Sequence, residues 1–346
     1  MTAAAIELAG WGAVSPAGWS AAALSDALRA ETVFPIEEER RSENAPAARY
    51  RRVPAWSSPP AWLRQPRLRR VSPISRYAVS AALEALQTRP TQPSDSATHS
   101  LGVIFAVQNG SVNFSRRFFS EVLSDPTLAS PILFPETVFN APSSHVSALL
   151  ATPALNYTLV GDAGQFVAAL DLAAQWLQDG RVSECLVVTA EENDWLSAEA
   201  LPLFHGPRIA SDGAAALWLR PTADPTPGSI LLDAVTDAIT LSAGISRSDA
   251  CAQLRRELAP QPGDLLLSAA AGAPAWDAPH QAAWQDASVI TQAIQPTLGH
   301  GFAVLGGWQC VAACEMLRTL QPAPQRALIA ADTGASQVVG ARFIVV

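Results

Sequence analysis

The chain has 346 residues, a formal net charge of −8 and only 16% charged residues. A net acidic chain argues against nucleic acid as a partner. All 23 basic residues are arginine, so chemistry through a lysine Schiff base is excluded. The four cysteines show no CxxC pair and no Cys/His cluster, so the sequence predicts no metal site, and we expect no cofactor.

The hydropathy pattern predicts neither a leader nor a membrane span. The opening MTAAAIELAGWG has no basic segment followed by a long apolar one, which argues against a signal peptide. No stretch approaches about 18 uninterrupted apolar residues, so we expect no transmembrane helix and no membrane partner. We therefore expect free thiols in a reducing cytoplasm.

The first part of the chain alternates β-rich runs with Ala/Leu-rich helical runs, which predicts an α/β fold. It begins with a strand at 4–9, a turn at 10–18, a helix at 21–29 and a Pro- and Arg-rich irregular segment at 37–70. The periodicity then predicts helices at 74–86, 114–123, 138–150 and 163–177, with strands at 101–107, 157–160, 184–190 and 213–220.

The second part repeats this alternation after a Pro-rich linker at 220–229. Strands are predicted at 230–238, 264–270, 289–294, 326–331 and 341–346, with helices at 249–258 and 302–320. A strand, a turn with a polar residue and an apolar helix occur twice, at Asp162 and at His300. This predicts an internal duplication, with one half at 1–221 and the other at 222–346.

Five segments, in order, resemble β-ketoacyl synthases. They are GWGAVSPAG at 10–18, SPILFPETVFNAPSSHVSALL at 130–150, NYTLVGDAGQFVAALDLAAQWLQDG at 156–180, RIASDGAAALWL at 208–219 and PTLGHGFAVLGGWQCVAACEML at 296–317. The resemblance implies the duplicated, five-layer αβαβα thiolase fold, which normally dimerises.

Departures from the family pattern fall on its catalytic residues. Asp162 stands where the family has its nucleophilic cysteine in a TACSS-like pattern, and Ala269 stands where it has the first histidine of HGTGT. His300 matches the second histidine, and Gln295 replaces a lysine shortly before it. The Gly/Phe-rich loop near the C-terminus is replaced by ADTGAS. Because condensation needs a thioester on a reactive thiolate, the resemblance implies that the chain cannot condense acyl groups alone.

Two interpretations of Asp162 and His300 stay open. Asp162 is either a helix N-cap or an acid, base or hydrolytic nucleophile paired with His300. His300 is either a residue hydrogen-bonded in a tight turn or part of that pair. The other polar candidates are interpreted as structural. His145 is expected to be buried, His99, His205 and His280 show no convincing partner, Cys185, Cys310 and Cys314 fall in apolar elements, and Cys251 falls on an exposed helix.

Ten arginines lie between residues 40 and 76, with Trp56 and Trp62 among them. Arginine suits carboxylate and phosphate recognition, so Arg67, Arg69 and Arg70 are candidates for docking an acidic acyl carrier protein. A solvated, Pro-rich surface segment is the alternative.

Ketosynthase-like chains without the nucleophile are known as chain length factors, and this chain resembles them. The resemblance implies pairing with an active ketosynthase in a type II fatty-acid or polyketide system, with the aryl-polyene kind as one candidate. Its tunnel and interface residues would be Leu133, Phe134, Phe139, Asn140, Tyr157 and Leu159. The alternatives are an acyl-thioester hydrolase that uses Asp162 and His300, and a homodimeric acyl-binding scaffold.

Overall fold

The computed structural model describes residues 4–45, 47–87, 100–151, 155–206, 208–332 and 336–346. The strands are β1 (Ala5–Val14), β2 (Glu37–Glu39), β3 (Ala48–Arg51), β4 (Leu101–Val107), β5 (Asn156–Val160), β6 (Glu184–Glu191), β7 (Ala210–Ser211), β8 (Gly213–Thr222), β9 (Ile230–Val235), β10 (Ile239–Thr240), β11 (Leu265–Ser268), β12 (Ile290–Ala293), β13 (Arg326–Ala331) and β14 (Gln337–Val345). The helices are α1 (Ala21–Arg29), α2 (Pro73–Ala85), α3 (Val112–Ser124), α4 (Ala141–Leu149), α5 (Gly164–Gln178), α6 (Trp195–His205), α7 (Arg247–Leu258), α8 (Pro274–Trp284), α9 (Gln295–Leu298) and α10 (Val304–Thr319). Short 3-10 turns occur at Ala61–Arg64, Pro66–Leu68, Pro126–Leu128 and Phe134–Glu136.

The main sheet contains the same five-strand arrangement twice. The order is β5-β4-β6-β8-β1 in the first repeat and β12-β11-β13-β14-β9 in the second. In each repeat the first three strands are parallel, and the last two each run antiparallel to the strand before them. Antiparallel pairing of β1 with β9, through Ile6 with Leu232 and Glu7 with Leu231, joins the repeats. The predicted internal duplication is therefore confirmed.

The helices complete five layers. α5 and α10 pack against each other between the repeats, and each contacts strands of both. α2 packs on the outer side of β1, β6 and β8, whereas α7 packs on the outer side of β14 and against α8. The five strands of each repeat are thus covered by helices on both faces, as mixed sheets of buried, apolar strands require. The αβαβα arrangement predicted from the resemblance is confirmed.

α10 is buried all round, and its polar side chains tie it to strands of both repeats. Trp308 Nε1 donates to the carbonyl oxygens of Val14 at 3.0 Å and Ala214 at 3.2 Å. Gln309 Nε2 donates to those of Leu267 at 2.8 Å and Ala330 at 2.9 Å. Because buried donors need partners, these bonds fix the depth and rotation of the helix.

β1 is longer than its sequence predicts. Gly10 and Gly12, which suggest a turn, lie within the strand and let α2 approach it. A Cβ atom at Gly10 would lie 2.0 Å from the Ala85 carbonyl oxygen, and one at Gly12 would lie 2.3 Å from that of Ala81. The glycines therefore serve close packing within a strand that runs to Val14, and the predicted turn at 10–18 is wrong over its first half.

Three helices, α6, α8 and the short α9, and four short strands, β2, β3, β7 and β10, were not predicted. α6 contains Pro202 and α8 contains Pro279, and a proline within a run normally argues against a helix. β2 and β3 lie inside the segment predicted to be irregular, where they pair with each other and with β7. α1, β4 and β13 have the predicted bounds. We propose the boundary between the halves at 221/222, at the end of β8.

Candidate functional site

Asp162 lies in the junction between β5 and α5 and is only 7% exposed. Its Oδ1 accepts hydrogen bonds from the Gly164 amide at 3.1 Å and from Gln337 Nε2 at 3.1 Å. Its Oδ2 accepts from Ser336 Oγ at 2.9 Å and from the Ser336 amide at 3.3 Å. The side chain thus caps the first turn of α5, one residue before the backbone cap at Ala163, and joins it to the start of β14.

His300 lies in the turn between α9 and α10, where backbone and side-chain bonds both hold it. Its amide donates to the Ile209 carbonyl at 2.8 Å, and its carbonyl accepts from the Ser211 amide at 2.9 Å. Its Nδ1 lies 3.0 Å from Gln295 Oε1, and its ring packs edge-on against Phe302 at 5.0 Å between centroids. The turn is therefore held through both its backbone and its side chain, and His300 is 2% exposed.

Gln295 connects His300 to Ala269. Its Nε2 donates to the Ala269 carbonyl oxygen, so its Oε1 accepts, and His300 donates from Nδ1. The structure thus brings together Ala269, Gln295 and His300, all three of which the resemblance placed in the degenerate site. Asp162 is hydrogen-bonded to different neighbours, in α5 and at the start of β14. The hydrolytic pairing of Asp162 with His300 stays a prediction.

A buried arginine, Arg51, holds the short helix that leads into the same turn. Arg51 Nη1 donates to the carbonyl oxygens of Pro296 at 2.9 Å and Thr297 at 2.8 Å, which lie in the short helix α9. Burial lowers the pKa of this guanidinium. Arg51 belongs to the Arg-rich segment that the sequence suggested as a docking surface, and nothing in the sequence distinguishes this arginine from its exposed neighbours.

A second buried polar network joins that segment to β8. Arg52 Nη1 lies 3.0 Å from Asp212 Oδ2 and donates to the Asn193 carbonyl at 2.8 Å. Asp212 Oδ1 accepts from the Asn193 amide at 2.9 Å. Burial raises the pKa of the Asp212 carboxyl, although Arg52 and Asn193 act against this. The network fixes the chain at the end of β6, beside the loop that leads into α6.

Two adjacent glutamates at the end of β6 hold the loop that follows β4. Glu191 accepts from the amides of Gln108 and Asn109, and Glu192 accepts from the Asn113 amide at 3.0 Å. Burial raises the pKa of Glu191 to about 8 and that of Glu192 to about 7. The sequence gives these residues no signal beyond their place after a buried strand.

All four thiols are buried. Burial raises the pKa of Cys185 to about 12, and it also raises the pKa of Cys251, Cys310 and Cys314. Because the thiolate is the nucleophile, none of these groups is activated. Cys251 was predicted to be exposed, which is wrong, because its face of α7 packs inward and its Sγ lies 3.7 Å from Asp332 Oδ2.

His280 was predicted to have no convincing partner, and this is also wrong. Its Nε2 lies 2.8 Å from Ser268 Oγ, and its Nδ1 contacts Asp332 Oδ2. His145 is buried as expected, with its Nε2 2.7 Å from Glu136 Oε1. His99 and the side chain of His205 lie outside the described residues.

An exposed apolar surface lies at the open edge of the first repeat, where β5 ends the sheet. Tyr157 and Val160 of β5 are each 53% exposed, and Phe134 and Phe139 of the preceding segment are 57% and 45% exposed. These four residues are the apolar edge surface. Leu159 is half-buried, Asn140 is exposed and Leu133 is buried. An open strand edge with apolar side chains is typical of an interface.

α4 positions the two parts of this surface. Asn156 Nδ2 at the start of β5 donates to Ser147 Oγ of α4 at 2.8 Å. On the other side, the His145 and Glu136 pair joins α4 to the 3-10 turn that contains Phe134. The strand edge and the segment at 133–140 are therefore held by one helix.

Arg67, Arg69 and Arg70 are exposed, and no ion pair to them occurs within the described residues. They follow Trp62 in the chain, which belongs to an aromatic cluster: Trp19 stacks on Trp56 at 3.8 Å between ring centroids, and Trp62 meets Trp56 edge-on at 5.8 Å. This part of the Arg-rich segment therefore combines exposed arginines with packed tryptophan rings.

Within the described ranges, no group of three or more His, Cys, Asp or Glu side chains is arranged to hold a metal ion. No helix in the described part of the chain is both long and apolar enough to cross a membrane.

No protein-family model matches the chain, and no curated protein matches it. Several solved structures match the chain. The ishigamide ketosynthase/chain length factor is 18% identical, with a TM-score of 0.82, over 99% of each chain. A β-ketoacyl synthase from Burkholderia phymatum is 15% identical, with a TM-score of 0.80, over 99% of this chain and 100% of that one.

A third structure is a type II PKS acyl-carrier protein in complex with its ketosynthase bound to the hexaketide. The matched chain of that structure is 14% identical to this chain, with a TM-score of 0.79, and the match covers the whole of both chains. At these identities the likeness shows the fold. The chain therefore has the thiolase-like fold of these ketosynthase structures, and the fold that its motifs imply is confirmed.

Proposed function

We propose that the chain is a non-catalytic ketosynthase-like subunit, a chain length factor. It pairs with an active β-ketoacyl-ACP synthase and shapes the acyl tunnel of that partner in fatty-acid or polyketide biosynthesis. The observation that supports this most is Asp162, which lies at the start of α5 with both carboxylate oxygens engaged in hydrogen bonds. The same helix start would lower the pKa of a thiol, but a carboxylate there is a poor nucleophile towards a thioester.

The rest of the degenerate site agrees with a silent role. Stabilising the oxyanion that forms on decarboxylation needs preorganised donors. At Ala269 a methyl group stands in place of an imidazole, and Gln295 Nε2 is committed to the Ala269 carbonyl. A negative charge at Asp162 would also repel a malonyl carboxylate, by about 4 kcal/mol for unit charges about 4 Å apart at intermediate dielectric.

The apolar edge surface supports the pairing. Association through β5 would cover an open strand edge and bury Tyr157, Val160, Phe134 and Phe139 together. The segment at 133–140 leads into α4, which holds that edge, so we propose that its Phe134 and Phe139 limit tunnel length in the partner and that Leu133 lines the pocket across the interface. Phe139 packs on Gly110, where an added Cβ would lie 2.8 Å from Phe139 Cδ1, so its position is fixed by the loop after β4.

The solved ketosynthase complex that contains an acyl-carrier protein supports a carrier-protein partner for this chain. We propose that Arg67, Arg69 and Arg70 contact it, because they are exposed guanidinium groups that suit phosphate and carboxylate oxygens. Replacing all three with glutamate should weaken carrier-protein binding to the pair and remove most of its dependence on salt concentration.

The pairing is tested by co-expression with an active ketosynthase that carries an intact cysteine and two histidines. We expect the two chains to copurify, and we expect Leu133→Ala and Phe139→Ala to shift the length of the product made by the pair. Phe204→Ala, which changes an exposed phenylalanine of α6 outside the apolar edge surface, is the matched control. Product length that is identical in all variants would count against the proposed tunnel residues.

The same preparation separates the alternatives. Hydrolysis of acyl carrier thioesters that Asp162→Asn abolishes would favour the enzyme of altered chemistry. A stable homodimer that does not exchange with the ketosynthase would favour the acyl-binding scaffold. Both results would contradict the proposed function.

A further inference from the structure

We propose that Ser268, His280 and Asp332 form a second, independent site, a Ser-His-Asp triad that hydrolyses short-chain acyl esters or thioesters. Its residues come from β11, from α8 and from the end of β13, in the second repeat. The site does not use Asp162 or His300, so it stands or falls separately from the proposed function.

The geometry is that of a nucleophile, a base and a positioning carboxylate. Ser268 Oγ lies 2.8 Å from His280 Nε2, within the range in which a serine can pass its proton to an imidazole. The opposite ring nitrogen, Nδ1, contacts Asp332 Oδ2. This contact fixes the imidazole with Nδ1 protonated, so Nε2 presents its lone pair to the serine.

Asp332 is itself held in place. Arg247 Nη1 donates to its backbone carbonyl at 2.6 Å, and Cys251 Sγ lies 3.7 Å from the same Oδ2 that His280 contacts. Burial lowers the pKa of the His280 imidazole. The charge and hydrogen bond of Asp332, with the charge of Asp277, raise it, and the net shift is upward. The imidazolium formed during proton transfer is therefore stabilised by its neighbours.

Ser268 and His280, which are 1% and 5% exposed, border a groove of about 600 Å³. Ala270, Trp284 and Val289 line the same groove together with Gln281, Gln285 and Ser288, so it offers both apolar and polar contacts. The indole Nε1 of Trp284 is buried and has no hydrogen-bond acceptor within the described residues. The Ala270 amide donates to Ser268 Oγ at 3.1 Å. Both donors belong to residues that line the groove.

The reaction balances with water as the only co-reactant. Ser268 Oγ attacks the acyl carbonyl carbon while its proton moves to His280 Nε2. The bond from that carbon to the oxygen or sulfur of the leaving group then breaks, and the leaving group takes the proton from Nε2. Water, deprotonated by the same nitrogen, cleaves the acyl-serine, so that a carboxylic acid is released and the serine is regenerated.

A fluorophosphonate probe tests the site in the full chain, because it reacts with serines activated in this way. We expect covalent labelling at Ser268, located by peptide mass spectrometry, and hydrolysis of p-nitrophenyl butyrate. Ser268→Ala should abolish both. Ser124→Ala, which removes an exposed and hydrogen-bonded serine of α3, should change neither.

Asp332→Asn gives a readout that a merely structural network would not move. We expect the labelling rate to fall at least about 100-fold while the thermal unfolding midpoint stays within a few degrees of that of the unchanged chain. A folded chain that the probe does not label at Ser268 would overturn the proposal. So would hydrolysis that survives Ser268→Ala.

Discussion

At the scale of single residues, the start of α5 sets the chemistry of the degenerate site. Asp162 retains the structural benefit of that position, because it caps the helix and binds Ser336 and Gln337. It lacks the property that a condensing enzyme needs there, a polarisable thiolate. In the proposed function, the residue that stabilises this helix start is also the one that prevents condensation.

The thiols give a direct prediction. Burial raises the pKa of Cys185 to about 12 and excludes water from all four sulfurs, so no thiol should react with Ellman's reagent in the folded chain. All four should react after unfolding in guanidinium chloride. One thiol that reacts rapidly in the folded chain would identify a nucleophile and contradict the proposed silence.

The buried glutamates predict how stability depends on pH. Burial raises the pKa of Glu191 from 4.5 to about 8, so between these values the folded state holds a proton that the unfolded state has released. The free energy of unfolding should therefore fall as pH rises from about 5 to 8, by up to about 1.4 kcal/mol per pH unit for each such group. Glu84 and Glu192, with pKa values raised to about 7, act in the same direction.

Glu191→Gln removes one of these groups. We expect urea unfolding at several pH values to show a shallower fall in stability for this variant than for the unchanged chain. A slope that is equal in both would show that Glu191 does not titrate between its folded and unfolded values.

At the scale of elements, the crossing of α5 and α10 determines how the two repeats fit together. A Cβ atom at Gly306 of α10 would lie 2.4 Å from the Ala163 carbonyl oxygen, which is backbone and cannot move aside cheaply. Because Ala163 directly follows Asp162, this crossing also fixes the start of α5. The degenerate site is thus part of the interface between the repeats.

Gly306→Ala tests this crossing. Alanine favours a helix by up to about 1 kcal/mol over glycine, but the clash should outweigh that gain and lower the free energy of unfolding by about 1–3 kcal/mol. Gly244→Ala is the control, because nothing lies within 4 Å of its added Cβ and little change is expected. Equal stability of both variants would show that the helices do not approach as closely as described.

The elements were largely predictable because most follow simple periodicity. α1 and β4 have the predicted bounds, since apolar spacing and flanking polar residues define both ends. α6 and α8 escaped prediction because each contains a proline, and a proline is compatible with a helix only where the lost hydrogen bond is tolerated.

The site was predictable only in part. Motif order locates Asp162, Ala269 and His300, but the hydrogen bonds among Ala269, Gln295 and His300 depend on how β11 and α9 pack. Ser268, His280 and Asp332 could not be found from sequence, because Asp332 lies 52 positions from its histidine and only the β13 end brings them together.

At the scale of the whole molecule, the two repeats share a strand order but differ in what they expose. In the first repeat β5 is the open edge and lies beside the segment at 133–140, which displays Phe134 and Phe139. The corresponding edge of the second repeat, β12, is of similar length, and Ile290 is its one exposed large apolar residue. We expect the more apolar edge to direct association to the first repeat, which favours a dimer over a chain of copies.

Condensation by the purified chain is the most direct test of its proposed silence. The chain alone is incubated with acyl and malonyl carrier-protein thioesters, and β-ketoacyl product is measured by mass spectrometry. The Ser268→Ala variant is used in parallel, so that hydrolysis does not deplete the thioesters. We predict no β-ketoacyl product from the chain alone, and product once the active ketosynthase is added. Product formed by the chain alone, above the level without protein, would contradict the proposal.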